Sequence, residues 1–382
     1  MKIAFVSRVS FADNDLPIIK EMQKQGHEVY YFMELPCYQL KSTIINISHQ
    51  LPYSGILHFS KYPELNMFSR YVDCTNFYII NRVDSHSLSR KTFGVYFQLF
   101  HFLNKINPDV VHTSSHYLIY NFILYKFRKK SVLTVHDPFL HSGESSFCLK
   151  IYRKLAFTLF PKFVVLNETQ KDSFIKVNRL RASQVLVNRI SAFDFYPSFL
   201  TSPVKKESHT LLFFGRISPY KGLEYLCKAF PIIKKRLPDC KLVIAGGGKM
   251  YFDITPYKCM NGVEVYNRYV SASELSTFLQ QASICVCPYT DATQSGVITT
   301  CYSMGVPVVA SNVGGLSTMV QEGKSGCLVE PRNVEALANT IISLLTNPKT
   351  LDDMRNYLLD SYFTDERSTS VIVSKYIEFY KQ

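Results

Sequence analysis

Short, wholly apolar runs recur along this chain, and most are followed by a stretch with helical spacing. Continuous apolar runs of this length suit strands covered on both faces, and their alternation with helices predicts parallel sheets in an α/β protein. In the first half the strands are expected at Lys2–Ser7, His27–Phe32, Asp109–His112, Val132–Val135 and Phe163–Leu166. Helices are expected at Leu16–Gln25, Leu88–Asn104, Tyr117–Phe127 and Phe147–Phe160. Gly26 stands where a helix C-cap belongs. Phe93, Phe97, Phe100 and Leu103 fall on one face of the second helical stretch, while residues 34–80 resist assignment. The second half repeats the alternation. Strands are read at Thr210–Phe214, Leu242–Ala245, Val263–Tyr266, Ile284–Cys287 and Val308–Ala310. Helices are read at Leu223–Arg236, Glu274–Gln281, Gly296–Met304, Val334–Leu345 and Val371–Tyr380.

A chain of 382 residues exceeds one ordinary core, so two domains are expected. The stretch from about Ser191 to Ser208 holds Pro197 and Pro203 and closes on KKESH, the composition of a linker. Two doubly wound domains follow, at 1–190 and 205–365, with a final helix at about 368–382 that can pack back on the first. Such sheets bind ligands at the carboxyl ends of their strands, and two in tandem would face each other across a cleft.

The segment LLFFGRISPYKG (Leu211–Gly222) narrows the chemistry. An apolar strand ends at Gly215, a short loop carries Arg216 and Lys221, and Gly222 opens a helix. Glycine permits close backbone approach, and a helix N-terminus favours negative charge. Arg offers a bidentate fork to phosphate oxygens and Lys a mobile point charge. The pattern suits a diphosphate, although an ordinary strand–helix turn with a solvated Arg and Lys has the same residues. A second anion site lies in PYTDATQSGVITTCYSMG (Pro288–Gly305), where Ser295 and Gly296 open a helix and the N–H groups of Ser295, Gly296 and Val297 are positioned for a phosphate. A plain N-cap serine is the alternative there.

GRISPYKGLEYL, VIAGGG, the PY…SG…G-x-PVVA-x-x-VGG run and GCLVEP-x-N occur in this order. Together they resemble the nucleotide-binding half of a family-4-type retaining glycosyltransferase (glycosyl transferases group 1) with the GT-B fold. PDVVH (Pro108–His112) and TVHDPFLHSGE (Thr134–Glu144) resemble that family's acceptor-side domain. The resemblance covers most of the chain and is faintest over 34–105. It implies that Arg216 and Lys221 hold the donor diphosphate and that Gly246–Gly248 and Arg268–Val270, Tyr269 included, line the base and ribose. It places Gly215, Gln294, Ser295, Gly296, Val297 and Thr300 on the donor side and His136 near the transferred sugar. Asp13 and Asn14 fall in the first strand–helix loop, Ser7–Asp15, and with Asp137, His141 and Glu144 they form the acceptor-side set. The family's Gly pair in that first loop is replaced by Phe11, Ala12, Asp13 and Asn14. Its paired glutamates, separated by seven intervening residues, fall at Ala292 and Thr300, and its later glutamate at Thr318. The chain thus reads as a variant of the family's pattern.

Arg216, Lys221 and the helix start at Ser295 can stabilise the charge that develops on a nucleoside diphosphate leaving group without a metal, and no cofactor is expected beyond the UDP- or GDP-linked donor itself. Asp13 and Asp15 have Asp-x-Asp spacing but stand at a helix start, where capping is the expected role. Lys and Arg exceed Asp and Glu by 10 over residues 1–200 and by 3 over residues 201–382. Lys126, Arg128, Lys129 and Lys130 form the densest basic spot. Solvated helix ends and contact with the inner membrane surface both account for it, whereas no nucleic-acid-binding signature appears. No stretch is long and apolar enough to span a bilayer, and MKIAFVSRVSF reads as a first strand rather than a signal peptide. Ten scattered cysteines suit free thiols in a reducing cytoplasm; Cys285 and Cys287 are taken to face opposite ways. Three functions remain open: sugar transfer from a nucleotide donor to a saccharide or lipid-linked acceptor in cell-envelope, capsular or exopolysaccharide synthesis, epimerisation of a nucleotide sugar, and non-catalytic nucleotide-sugar binding.

Overall fold

The computed structural model describes residues 1–86, 88–114, 125–136, 138, 153–154, 156–200, 204 and 207–382. The chain divides into two compact units, residues 1–191 with 369–382, and residues 192–368.

The strands of the first unit are β1 (Lys2–Arg8), β2 (Glu28–Pro36), β3 (Gly55–His58), β4 (Phe77–Arg82), β5 (Val110–Thr113), β6 (Ser131–Val135), β7 (Lys162–Val165) and β8 (Val185–Val187). They form one sheet in the order β3-β4-β2-β1-β5-β6-β7-β8, parallel except where β3 runs against β4. The order reverses between β1 and β5, which opens a crevice at their carboxyl ends. Helices α1 (Ala12–Lys24), α2 (Arg90–Ile106) and α3 (Glu168–Asn178) connect strands, and the C-terminal helix Thr369–Lys381 packs on α1. That last helix buries Ile372, Val373, Tyr376 and Phe379, and the Tyr380 hydroxyl hydrogen-bonds Nδ1 of the buried His112.

Where the sequence predicts one aromatic face on α2, the structure buries another. Thr92, Val95, Tyr96, Leu99, Leu103 and Ile106 point inward, Phe100 is partly buried, and Phe93 and Phe97 are exposed. The reason is polar. Tyr96 donates to Glu34 at 2.8 Å, and Glu34 lies 3.1 Å from Arg82, so a buried charge pair sets the inward side. The expected helices at Tyr117–Phe127 and Phe147–Phe160 fall largely outside the described residues. Tyr125–Lys130 forms a 3-10 turn, and 153–154 and 156–159 are helical. Sequence reasoning passed over β3, β4, α3 and β8. β3 is a four-residue edge strand, and α3 buries only Phe174, so neither shows a clear period.

The second unit holds β9 (Thr210–Phe214), β10 (Lys241–Ala245), β11 (Val263–Tyr266), β12 (Ile284–Cys287), β13 (Val308–Ser311) and β14 (Gly326–Val329), all parallel, in the order β11-β10-β9-β12-β13-β14. Its main helices are α4 (Leu223–Arg236), α5 (Ala272–Gln281), α6 (Gly296–Ser303), α7 (Val334–Leu345) and α8 (Pro348–Asp360). Ser271 and Glu274 form a capping box at α5, and Asn333 caps α7. The order reverses between β9 and β12. Residues 192–200, read from sequence as linker, belong to this unit's core. Phe193, Phe195 and Tyr196 are buried, Phe193 N donates to Ser303 Oγ at 2.8 Å, and Ser276 Oγ donates to the Tyr196 carbonyl at 3.0 Å.

The nine cysteines among the described residues are free thiols. Cys285 and Cys287 share a side of β12, as residues two apart in a strand do, and their side chains interact: the contact with Cys285 raises the Cys287 pKa, while burial is what raises that of Cys285; the expectation of opposite faces is corrected. Among the described residues no helix is long and apolar enough to cross a membrane.

Candidate active site

In the second unit the crevice is built by loops that lock together. Gly215 N donates to the Ala245 carbonyl at 3.0 Å and Ile217 N to the Gly247 carbonyl at 3.1 Å, which joins the loop after β9 to the loop after β10. Gly246 has φ +146°, and a Cβ there would lie 2.0 Å from the Gly215 carbonyl oxygen. A Cβ at Gly222, φ +65°, would lie 1.9 Å from the Pro288 carbonyl oxygen. Both glycines are required by loop-on-loop packing, before any ligand is considered.

That packing positions Lys221. Its Nζ donates to the Tyr289 hydroxyl at 2.7 Å and lies 4.1 Å from the Tyr289 ring centre. A Cβ at Gly215 would be 4.0 Å from Lys221 Nζ and 3.4 Å from Val297 Cγ2, so the ammonium and the first turn of α6 meet at this glycine. The residue is partly exposed as a whole, but its amine is turned inward. Burial pushes its pKa down to about 8, and the neighbouring Arg216 adds to the effect. Arg216 itself is exposed at the crevice. Ser295, 3% exposed, caps α6 by accepting from Ile298 N at 3.4 Å. The N–H groups of Gly296 and Val297 stand in the first turn, where no intrahelical carbonyl reaches them. A buried cation, an exposed guanidinium and a helix N-terminus at a strand-order reversal make an anion site.

The loop after β11 lines the next side. A Cβ at Gly247 would lie 3.5 Å from the Arg268 carbonyl carbon and 3.8 Å from Tyr269 N, and Gly248 N donates to Asn267 Oδ1 at 3.1 Å. The Arg268 side chain is engaged by Glu274 at 2.7 Å and by the Tyr269 carbonyl at 2.9 Å. Arg268, with the Ser271 N–H, holds the Glu274 carboxyl at a pKa of about 2. Val270 precedes the Ser271 cap, and Gln294 precedes Ser295. Ala292 and Thr300, which replace the resemblance's glutamate pair, are both buried, and the Ala292 carbonyl accepts from Gly315 N at 3.0 Å.

The crevice of the first unit holds buried acidic side chains instead. The hydroxyls of Ser7 and Ser114 hydrogen-bond each other at the ends of β1 and β5. Asp15, 1% exposed, accepts from the Tyr31 hydroxyl at 3.0 Å, and burial pushes its pKa up to about 8. Burial also raises Asp13 to about 6, and its carboxylate accepts from Asn14 N at 3.0 Å. Neither is a helix cap: Phe11 occupies the cap position of α1, without a side-chain hydrogen bond, so the capping expectation is corrected. His136 follows β6 and stacks on Phe11, ring centres 3.7 Å apart and planes 1° from parallel. Asp137, His141 and Glu144 lie outside the described residues.

Sequence reasoning missed Tyr289, which seats Lys221, and Phe11, which covers His136. It also missed Ser218, whose hydroxyl is buried with no partner among the described residues. Tyr289 had a usable signal, since it stands two residues past the end of β12. The other two are visible only in three dimensions.

Two doubly wound α/β units, one carrying a cationic loop and a helix N-terminus at its strand reversal, define the class of proteins with the GT-B fold. Residues 18–188 match the model of Glycosyltransferase Family 4, and residues 208–347 match that of Glycosyl transferases group 1. The chain belongs to this family of group 1, family-4-type glycosyltransferases. An uncharacterized glycosyltransferase of Haemophilus influenzae is 24% identical over 280 residues, 72% of this chain and 77% of that protein. The D-inositol 3-phosphate glycosyltransferase of Paenarthrobacter aurescens is 31% identical over 172 residues, but only 42% of each chain is covered. A GDP-mannose-dependent alpha-(1-6)-phosphatidylinositol monomannoside mannosyltransferase of Mycolicibacterium smegmatis is 30% identical over 162 residues, 39% of this chain and 42% of that one. Among solved structures, Anabaena HepE in complex with UDP-glucose matches with TM-score 0.70 at 14% identity over 99% of both chains. The UDP-GlcNAc 2-epimerase of Neisseria meningitidis, bound to UDP-GlcNAc, matches with TM-score 0.64 at 14% identity, covering 99% of this chain and 100% of that one.

Proposed function

We propose that this glycosyltransferase moves a sugar from a nucleoside diphosphate donor, UDP- or GDP-linked, to a saccharide or lipid-linked acceptor with retention at the anomeric carbon. The observation that carries the reading is the buried Lys221 ammonium, held by Tyr289 against the start of α6 where the second sheet reverses order. HepE, with its UDP-glucose, and the GDP-mannose-dependent relative support the donor class. In the proposed reaction the bond from the anomeric carbon to the diphosphate oxygen breaks, and its electron pair stays on the diphosphate. Lys221, Arg216 and the N–H groups of Gly296 and Val297 stabilise that charge, so no metal is needed. The acceptor oxygen bonds to the same face of the anomeric carbon, and its proton passes to the departing phosphate oxygen. His136 is assigned by the resemblance to the sugar, Gly246, Gly247 and Arg268–Val270 to the nucleoside, and Asp13 and Asn14 to the acceptor. A role in envelope or exopolysaccharide synthesis, at the inner membrane surface, suits the basic first unit.

The test is a thermal-shift panel of UDP, GDP, ADP and CDP, first without Mg²⁺ and then with it. One nucleotide raising Tm without metal is the expected result. No shift from any of them overturns the diphosphate assignment. Incubation with nucleotide sugar alone separates the epimerase reading, which requires an isomerised sugar to appear with no acceptor present.

A further inference from the structure

Helix α2 has two unlike faces. Its inward side is buried, whereas Phe93 and Phe97 are 55% and 49% exposed and Leu88, just ahead of the helix, is 71% exposed. Leu88, Arg90, Phe93, Gly94 and Phe97 line one surface groove. The aromatic surface continues without a break. Phe93 and Phe97 ring centres are 6.5 Å apart, Phe97 and Phe100 6.2 Å, and Lys126 Nζ lies 5.6 Å over Phe100. Tyr125, 51% exposed, carries the Arg128 guanidinium over its ring at 4.8 Å. Segments Arg90–Ile106 and Tyr125–Lys130 together contain seven Lys and Arg residues and no Asp or Glu.

We propose that this face, the outer side of α2 with the Tyr125–Lys130 turn, docks on an anionic phospholipid bilayer. Large exposed aromatics gain from leaving water, and an apolar stripe flanked mainly by cations, with Asp84 beside Ser89 and Lys91 at its far end, matches the boundary between acyl chains and acidic headgroups. Each cation near such a surface is drawn to it by the negative surface potential. A second copy of this chain is disfavoured as the occupant, because pairing two such faces sets seven cations against seven. The helix lies on the membrane and does not enter it as a span, since no helix among the described residues is long and apolar enough to cross. The sequence expectation of membrane contact rested on charge alone; the exposed phenylalanines supply the apolar half. The inference extends the membrane part of the proposed function and uses no sugar transfer, so the two fail separately.

The experiment is co-sedimentation of the full chain with vesicles of phosphatidylglycerol and phosphatidylcholine, against phosphatidylcholine alone. Binding to the anionic vesicles is expected, weakened by added salt. It is expected to fall at least about 10-fold in the Phe93→Ser/Phe97→Ser variant and in Lys126→Glu/Arg128→Glu. All four side chains are on the surface, so unchanged melting curves show that the variants fold. Failure to bind anionic vesicles, equal binding to phosphatidylcholine alone, or undiminished binding by the phenylalanine variant overturns the proposal. So does a dimer in light scattering that Phe93→Ser/Phe97→Ser abolishes, because the face then belongs to a second copy.

Discussion

The two units place side chains of opposite type, basic in one and acidic in the other, at equivalent points of their sheets. Each sheet reverses its strand order beside its first strand, β1 in one and β9 in the other. After β9 come Arg216 and Lys221, and burial lowers the lysine pKa to about 8. After β1 come Asp13 and Asp15, and burial raises their pKa values to about 6 and about 8. The same desolvation acts on both and penalises whichever form is charged. A buried ammonium is stabilised by an arriving anion. A buried carboxyl is stabilised by staying protonated or by hydroxyl donors such as Tyr31. On the proposed function, the comparison separates a unit whose basic loop would hold a diphosphate from one whose crevice would suit hydroxyl-bearing, uncharged groups.

The sharpest way to break that contrast is Lys221→Ala. Loss of one preorganised charge contact at the leaving group is expected to lower turnover at least about 10²-fold. Near-normal turnover in a nucleotide-release assay would remove Lys221 from the diphosphate site. Wild-type pH dependence sharpens the same point. Its lowered pKa leaves Lys221 protonated below pH 8 and neutral above it. Nucleoside diphosphate affinity should therefore hold below pH 8 and fall by up to about 10-fold per unit above it, provided Lys221 carries the site. Calorimetric titration from pH 6.5 to 9.5 checks this. A flat profile would mean that the exposed Arg216 suffices.

The acidic crevice makes a smaller and opposite prediction, on stability. Asp15 has a folded pKa raised above its ordinary value of 3.8, so its folded state favours the proton. Its contribution is fully present below about pH 4 and is lost as pH rises through about 8. Asp15→Asn keeps an acceptor for Tyr31 and cannot ionise. It should melt about 2–4 °C above wild type at pH 8, with the difference closing towards pH 4. An Asn variant less stable than wild type at every pH would show that Asp15 is held charged by a partner.

The units also differ in how much of them could be read from sequence. In the second, β9 and β11, α4 and the start of α6 fall where the residues predict them, because short apolar runs bounded by glycine leave few alternatives. In the first, the period on α2 is ambiguous. Phe93, Phe97 and Phe100 compete with Val95, Tyr96 and Leu99 for the inward side, and the choice falls to the Tyr96–Glu34–Arg82 contacts, which join residues remote in sequence. Site chemistry follows the same division. Arg216 and Lys221 announce themselves by residue type and spacing, whereas Phe11 over His136 is a tertiary contact that no local pattern encodes.

The smallest effect is expected on the rim of the cationic crevice, at Arg268. Its guanidinium is tied to Glu274, which also caps α5 through Ser271 N and Oγ. The pair is about half exposed, with side chains at 51% and 40%, so solvent screens it and its removal should leave stability almost unchanged. Because the side chain is occupied, Arg268–Val270 faces the Gly247 loop through its backbone, and it is this backbone that would line a nucleoside. Arg268→Ala is then expected to leave nucleotide affinity within about twofold, in line with a single solvent-screened contact. A loss of about 10-fold with melting unchanged would show that the guanidinium leaves Glu274 for the ligand. The second unit's anion site would then extend from the β9 loop to the β11 loop, and its contrast with the Asp13–Asp15 crevice of the first unit would be wider than Arg216 and Lys221 alone make it.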